Sequence, residues 1–177
     1  MTDRPEFSRP VRLDSLGGQP RAERIEADAA ERAALAARFD LVAIERLEAT
    51  AEGVRDGDVI DVAGRLVADV VQSCVASAEP VPGHIDEPFR LRFVPYQSLE
   101  STAEEVELSE ADCDVIGYEG GAIDLGEAVA ETLALALDPF PRSPDADAAL
   151  REAGVLSEED AGPFAALKAL KEKMGKT

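Results

Sequence analysis

The segment from Leu41 to Val75 constrains the fold most. Within it Ile60, Val62, Leu66, Ala68 and Val70 share one parity while Asp61, Arg65 and Asp69 fall on the other. An extended chain with this alternation dries one face and wets the other. The stretch Leu41 to Glu52 is joined to it through Gly53-Val54-Arg55-Asp56-Gly57-Asp58. Asp56-Gly57 supplies the positive-φ pair that a tight hairpin prefers, and Gly53 leaves room for a longer loop. The pattern predicts an antiparallel hairpin with one solvated face. Beyond Pro80-Val81-Pro82-Gly83 and Pro88, Phe89-Arg90-Leu91-Arg92-Phe93 alternates again and reads as a further half-buried strand.

The flanking text is compatible with that sheet. Pro5 to Leu16 reads as an edge strand, since Pro10 removes a ladder donor, and Ala22 to Ala27 as a second short strand. Asp28 and Glu31 form a capping box that opens a helix to Phe39. Cys113 to Tyr118 reads as a strand and Glu119-Gly120-Gly121 as its turn. Asp124 caps a second helix, with Glu127 as reciprocal partner and Leu125, Ala128, Val129, Leu133 and Leu137 as its buried stripe, until Asp138-Pro139 stops it. A short helix over Ala146 to Ala153 ends at Gly154. A last one, capped from Ser157, carries Phe164, Leu167, Leu170 and Met174 on one face. The expected fold class is α+β: a single domain over residues 1–177, built on an antiparallel sheet that is open or barrel-like, packed with helices and ending in a helical C-terminus. Residues 5–95 are mainly β with the helix at 28–39, residues 96–112 form an acidic loop, and residues 113–174 are mainly helical.

Charge narrows the function. Asp and Glu number 37 against 18 Lys and Arg, a net charge of −19, which is the opposite of a nucleic-acid-binding footprint. From Val94 to Pro141 there is no base, against twelve acids. A continuous negative field of this kind repels phosphate and draws basic protein surfaces. A basic protein partner is the expectation, with Glu100, Glu104, Glu105, Glu107, Glu110, Asp112 and Asp114 as its contact residues. No apolar run approaches the roughly 18 residues of a membrane span, and Met1-Thr2-Asp3-Arg4-Pro5-Glu6 has no signal-peptide character. The expectation is a cytoplasmic protein without a membrane partner.

Chemistry-bearing motifs are few. Cys74 and Cys113 lack paired metal spacing, and without an export signal a disulfide between them is not expected. Cys74, at a strand end, reads as a small buried apolar residue. A Cys–His site with His84, the one histidine of the chain, lacks any orienting group in the pattern, so His84 reads as a surface or strand-end residue. The acids between Glu104 and Asp114 lack the order and central glycine of a calcium loop, and Gly17-Gly18 and Gly120-Gly121 lack the spacing and lysine of a phosphate loop. The reading is therefore no catalytic residue, no metal, no cofactor and no small-molecule substrate.

Several local patterns nevertheless coincide in order: Val71-Gln72-Ser73-Cys74-Val75 with Glu79-Pro80-Val81; Phe89 to Phe93; Ile123 to Leu137 followed by Pro139 and Pro141; and Pro163-Phe164-Ala165-Ala166-Leu167-Lys168. Together, over residues 5 to 172, the chain resembles the YceD family, associated with accumulation of the large-subunit ribosomal RNA. The matching positions are Cys74, Pro80, Asp124, Leu125, Glu131, Leu133 and Pro141; Asp124 caps, Leu125 and Leu133 pack, and Pro141 terminates. Many members carry a second cysteine three residues after the first and another cysteine pair after the proline-ended helix. Here position 77 is Ser77, and Pro141-Arg142-Ser143-Pro144-Asp145 contains no cysteine. A zinc-like site is therefore not supported, because one thiolate cannot make a tetrahedral cage. The resemblance implies a bacterial, non-enzymatic factor in ribosome biogenesis, and the charge adds the expectation that it works by binding a basic ribosomal or rRNA-processing protein. Two alternatives stand beside it: direct ribosomal-RNA binding through Arg90, Arg92 and their sheet neighbours, and a metal-dependent hydrolase or nuclease using clustered carboxylates.

Overall fold

The computed structural model describes residues 5–101 and 114–155. The elements run β1 (Pro10–Arg12), β2 (Arg21–Glu26), α1 (Ala29–Arg38), β3 (Ala43–Asp56), β4 (Val59–Ser73), β5 (Pro80–Pro95), α2 (Tyr96–Ser101), β6 (Asp114–Tyr118), β7 (Ala122–Asp124), α3 (Leu125–Ala136) and α4 (Ala146–Glu152). They fall into two compact units, Met1–Gln72 with Pro82–Pro139 and Ser73–Val81 with Phe140–Thr177.

The first unit is built on the predicted hairpin. Strands β3 and β4 pair antiparallel up to Asp56↔Val59, so the turn is Gly57-Asp58, one residue later than Asp56-Gly57. Gly57 takes φ 61° there, the conformation that glycine adopts without steric cost. The dry parity is as read: Ile60, Leu66 and Ala68 are fully buried, and Val62 and Val70 nearly so. On β3 the pairing register shifts between Ile44 and Arg46. This irregularity moves the alternation by one residue, so Ile44 and Leu47, of opposite parity, both reach the core.

Five strands form one sheet in the order β2-β3-β4-β5-β6, and β1 and β7 form a two-stranded sheet. Asp61 meets Arg92 and Asp69 meets His84 across the β4–β5 pair; as one number rises the other falls, so these strands run antiparallel. Strand β6 lies parallel to β5, from Leu91↔Asp114 to Pro95↔Tyr118. The α+β class is as the sequence indicated, but the sheet is mixed and open, neither wholly antiparallel nor a closed barrel. A parallel neighbour needs a crossover. Its first part is α2, where the sequence reading placed a loop; the rest of that loop, and the helix expected after Ser157, lie outside the described residues.

Helix α1 opens on the predicted box. Asp28 Oδ1 accepts from the Ala30 and Glu31 N–H groups at 2.8 and 2.9 Å, and Glu31 Oε2 accepts from the Asp28 N–H at 2.8 Å. Arg9 clasps that same Glu31 carboxylate with two hydrogen bonds of 2.7 and 2.8 Å. Helix α3 supplies Leu125, Val129 and Leu133 to the core that Phe7, Leu35, Leu47, Ile60 and Leu66 also fill; burying each such side chain is worth about 1.5–3 kcal/mol.

The start of α3 is the junction of this unit. Asp124 Oδ1 accepts from the Gly126 and Glu127 N–H groups at 3.1 and 3.2 Å, as a cap should. The same oxygen takes the Arg9 N–H at 2.7 Å, and Oδ2 takes the Ser8 hydroxyl at 2.6 Å. The Leu125 N–H donates to the Arg9 carbonyl at 3.1 Å, and β1 pairs with β7 through Pro10↔Asp124. The chain passes so closely that a Cβ on Gly126 would stand 2.2 Å from the Phe7 carbonyl oxygen. Glu127 is not occupied in reciprocal capping; its carboxylate binds Arg38 at 2.8 and 3.1 Å.

Gly126→Ala should therefore destabilise the protein by about 2 kcal/mol or more, because backbone must move to admit the methyl. Gly121→Ala, whose added Cβ meets nothing within 4 Å, should cost less than about 0.5 kcal/mol. Urea-unfolding midpoints for the two variants check the contrast.

Candidate functional site

Two features bear on function: the wet face of the five-stranded sheet and the surroundings of Cys74. On the wet face, Arg92 pairs with Asp61 at 2.7 Å, Arg65 with Asp86 at 2.5 Å and Arg24 with Glu48 at 3.1 Å. Arg46 also engages Glu48, and His84 Nδ1 meets Asp69 at 2.6 Å. All but Arg46–Glu48, which lies along β3, are exposed cross-strand pairs, each weak in solvent, and together they engage Arg24, Arg46, Arg65 and Arg92 of the sheet. The Arg65 guanidinium holds the Asp86 carboxyl below the usual carboxylate range. Arg90 stands exposed on the same strand as Arg92. The broad groove over β2 to β4, lined by Glu23, Arg24, Thr50, Glu52, Gly64 and Arg65, is thus mixed in charge; its Glu23 is bound by Arg21 at 2.7 Å.

Cys74 lies in the second unit and is 3% exposed. Its Sγ accepts the Ser143 N–H at 3.2 Å. Ser77 Oγ lies 3.2 Å from Ser143 Oγ and 3.1 Å from Glu79 Oε2. The backbone closes around the sulfur: Cys74 N–H donates to the Glu79 carbonyl at 2.8 Å, Val75 N–H to the Pro141 carbonyl at 2.9 Å, and Ala78 N–H to the Cys74 carbonyl at 2.9 Å. The Ser143 N–H foremost, then the Ser77 hydroxyl, stabilise the thiolate and bring the thiol down to about 6. Cys74 is thus buried as read from the sequence, and it is also a hydrogen-bonded node.

The sequence-predicted residues separate. Cys74 and Pro141 come together in the second unit through the Val75–Pro141 bond. Pro141 lies beyond the end of α3 at Ala136, so its work is to present a carbonyl, and the stop belongs to the Asp138-Pro139 step. Asp124, Leu125 and Leu133 cap and pack in the first unit, Glu131 is exposed on α3, and Pro80 opens β5. Of the acidic contact set, Glu100 lies in α2 and Asp114 begins β6, exposed. Glu104, Glu105, Glu107, Glu110 and Asp112 lie outside the described residues. Among the described residues no three His, Cys, Asp or Glu side chains are grouped so as to hold a metal, and no helix is long and apolar enough to cross a membrane. What the sequence reading missed is the role of Ser77 and Ser143; the signal was their place where the resemblance led one to expect further cysteines.

The hydrogen bonds around the sulfur make stability pH-dependent. The folded-state value of Cys74 is depressed to about 6 from an ordinary value of 9.0, so its contribution is complete above the ordinary value and is lost as pH falls through about 6. In a Cys113→Ser background, the thiolate ultraviolet absorbance should titrate near 6, and Ser77→Ala should move that midpoint upward. A midpoint at the ordinary thiol value would contradict the described geometry.

No curated protein and no solved structure matches the chain. A family model does: the one described as large ribosomal RNA subunit accumulation protein YceD matches residues 62–171, more than half of the chain. The matched span begins in β4 and takes in Cys74, Phe89 to Phe93 and the whole of α3, the same stretches whose order carried the resemblance. With these stretches in place on an α+β fold, the chain belongs to the YceD family.

Proposed function

We propose that this protein is a non-enzymatic factor in the accumulation or processing of large-subunit ribosomal RNA, acting by binding a basic ribosomal or assembly protein. The family supplies the process. The observation that carries the mechanism is the stretch from Val94 to Pro141, with twelve acids and no base. Charge of one sign over such a length accelerates encounter with cationic surfaces and suppresses approach to phosphate.

The pairing on the sheet face supports this reading over direct RNA binding. A surface that grips RNA offers unneutralised Arg and Lys to phosphate. Here Arg24, Arg46, Arg65 and Arg92 are each engaged with a carboxylate, so contact with a polynucleotide through these four would begin by breaking ion pairs, and Arg90 stands exposed beside them. The acids, in excess by 19 over the chain, are the surplus charge available to a partner.

Replacing Glu104, Glu105, Glu107 and Glu110 together by Gln tests the contact. Affinity for isolated basic proteins of the large subunit should fall about tenfold or more, equivalent to about 1.4 kcal/mol, and the salt dependence of binding should flatten. Unchanged affinity and salt slope would remove the acidic segment as the contact. Tight binding of naked ribosomal RNA, with a steep salt slope and no binding to basic proteins, would favour the polynucleotide reading instead.

A further inference from the structure

Two four-residue loops meet in the second unit. The first, Cys74-Val75-Ala76-Ser77, leaves β4 and is closed by the Ala78 N–H on the Cys74 carbonyl, with Ala78 at φ 60°. The second, Ser143-Pro144-Asp145-Ala146, leads into α4 and is closed by the Ala146 N–H on the Ser143 carbonyl at 3.1 Å. The first residues of the two loops touch, Ser143 N–H to Cys74 Sγ at 3.2 Å, and the fourth residue of the first loop meets the first of the second, Ser77 Oγ to Ser143 Oγ at 3.2 Å. Ser143 and Ala146 are 8% and 2% exposed.

Paired loops with C-x2-C spacing, two ligands per loop, are the usual frame of a four-coordinate structural zinc site; here Cys74, Ser77 and Ser143 come together and Ala146 holds the fourth such position along the chain. The side chains here do not suit the metal. They are one thiol, two hydroxyls and a methyl, whereas tetrahedral zinc sites draw on thiolates, imidazoles and carboxylates. Nor is a donor left over for a cation to satisfy: among the described residues no buried side-chain nitrogen or oxygen lacks a hydrogen-bond partner.

We infer that Cys74, Ser77, Ser143 and Ala146 are the corners of a metal-free zinc-knuckle frame, in which hydrogen bonds hold together two loops that metal ligation would otherwise join. The Ser143 N–H on sulfur, the contact between the two serine hydroxyls and the Val75 N–H on the Pro141 carbonyl link the β4–β5 connection to the chain after Pro139. The fold of this unit is then independent of metal supply, and the loop geometry remains able to accept a metal once ligands are restored. This inference is independent of the proposed partner.

The full-length chain in a Cys113→Ser background decides it, so that only the frame can contribute thiolates. Elemental analysis should find substoichiometric zinc, and a strong chelator should leave the thermal midpoint unchanged. The Ser77→Cys/Ser143→Cys/Ala146→Cys variant, titrated with cobalt(II), should take up one ion per chain with thiolate charge-transfer and tetrahedral d–d absorption. It should also melt higher with zinc than without. Stoichiometric zinc in the unmodified frame, lost to chelator together with stability, would overturn the inference. A folded triple variant that binds no cobalt, or binds it octahedrally, would do so as well. If the triple variant does not fold, the zinc content and chelator response of the unmodified frame are sufficient to uphold or overturn the inference.

Discussion

The Asp124 carboxylate is the point on which the first unit depends. It takes two N–H groups from the first turn of α3 and two donors, the Ser8 hydroxyl and the Arg9 N–H, from a segment more than a hundred residues earlier. An ordinary N-cap is worth about 1 kcal/mol. This one also holds the first strand against the helix, seats Phe7 in the core, and leaves no room for a side chain at position 126. Arg9 extends the tie, stacking on Phe7 at 4.6 Å and clasping the Glu31 carboxylate that completes the cap of α1. Both major helices of the unit therefore start from one connected set of hydrogen bonds.

Electrostatics commits much of the molecule's positive charge to structure. Arg24, Arg46, Arg65 and Arg92 of the sheet face, Arg9 beside the start of α1 and Arg38 in its last turn are each engaged with a carboxylate, Arg38 between Glu6 and Glu127. With 37 acids and 18 basic residues, such pairing cannot consume the acids. Chains so composed repel one another and attract cationic surfaces.

The second unit makes a different point about a lone cysteine. Buried sulfur in apolar surroundings would raise its pKa and do little else. Donors from Ser143 and Ser77 bring it down instead and make the residue a junction between segments 74–79 and 141–146. A frame of this shape can be closed by a metal or by hydrogen bonds; with hydroxyls at two corners and a methyl at a third, hydrogen bonding is the chemistry available.

How much was legible follows from the range of each interaction. Alternation over Val59 to Ser73 and Phe89 to Phe93, the Asp28–Glu31 box, the Asp124 cap and the glycine that ends α4 were readable, because the residues that decide them lie within a few positions of one another. Backbone geometry and solvent then leave one outcome. The register shift at Ile44, the parallel placement of β6, the capture of Glu127 by Arg38, and the meeting of Cys74 with Ser143 were decided only in three dimensions. Each is settled by a partner dozens of residues away in the chain, chosen by which surfaces pack, and no local preference encodes that choice. The sequence by itself determined the class, the wet and dry faces and the surplus of negative charge; the tertiary structure alone decided which charges are spent internally and which side chains stand together.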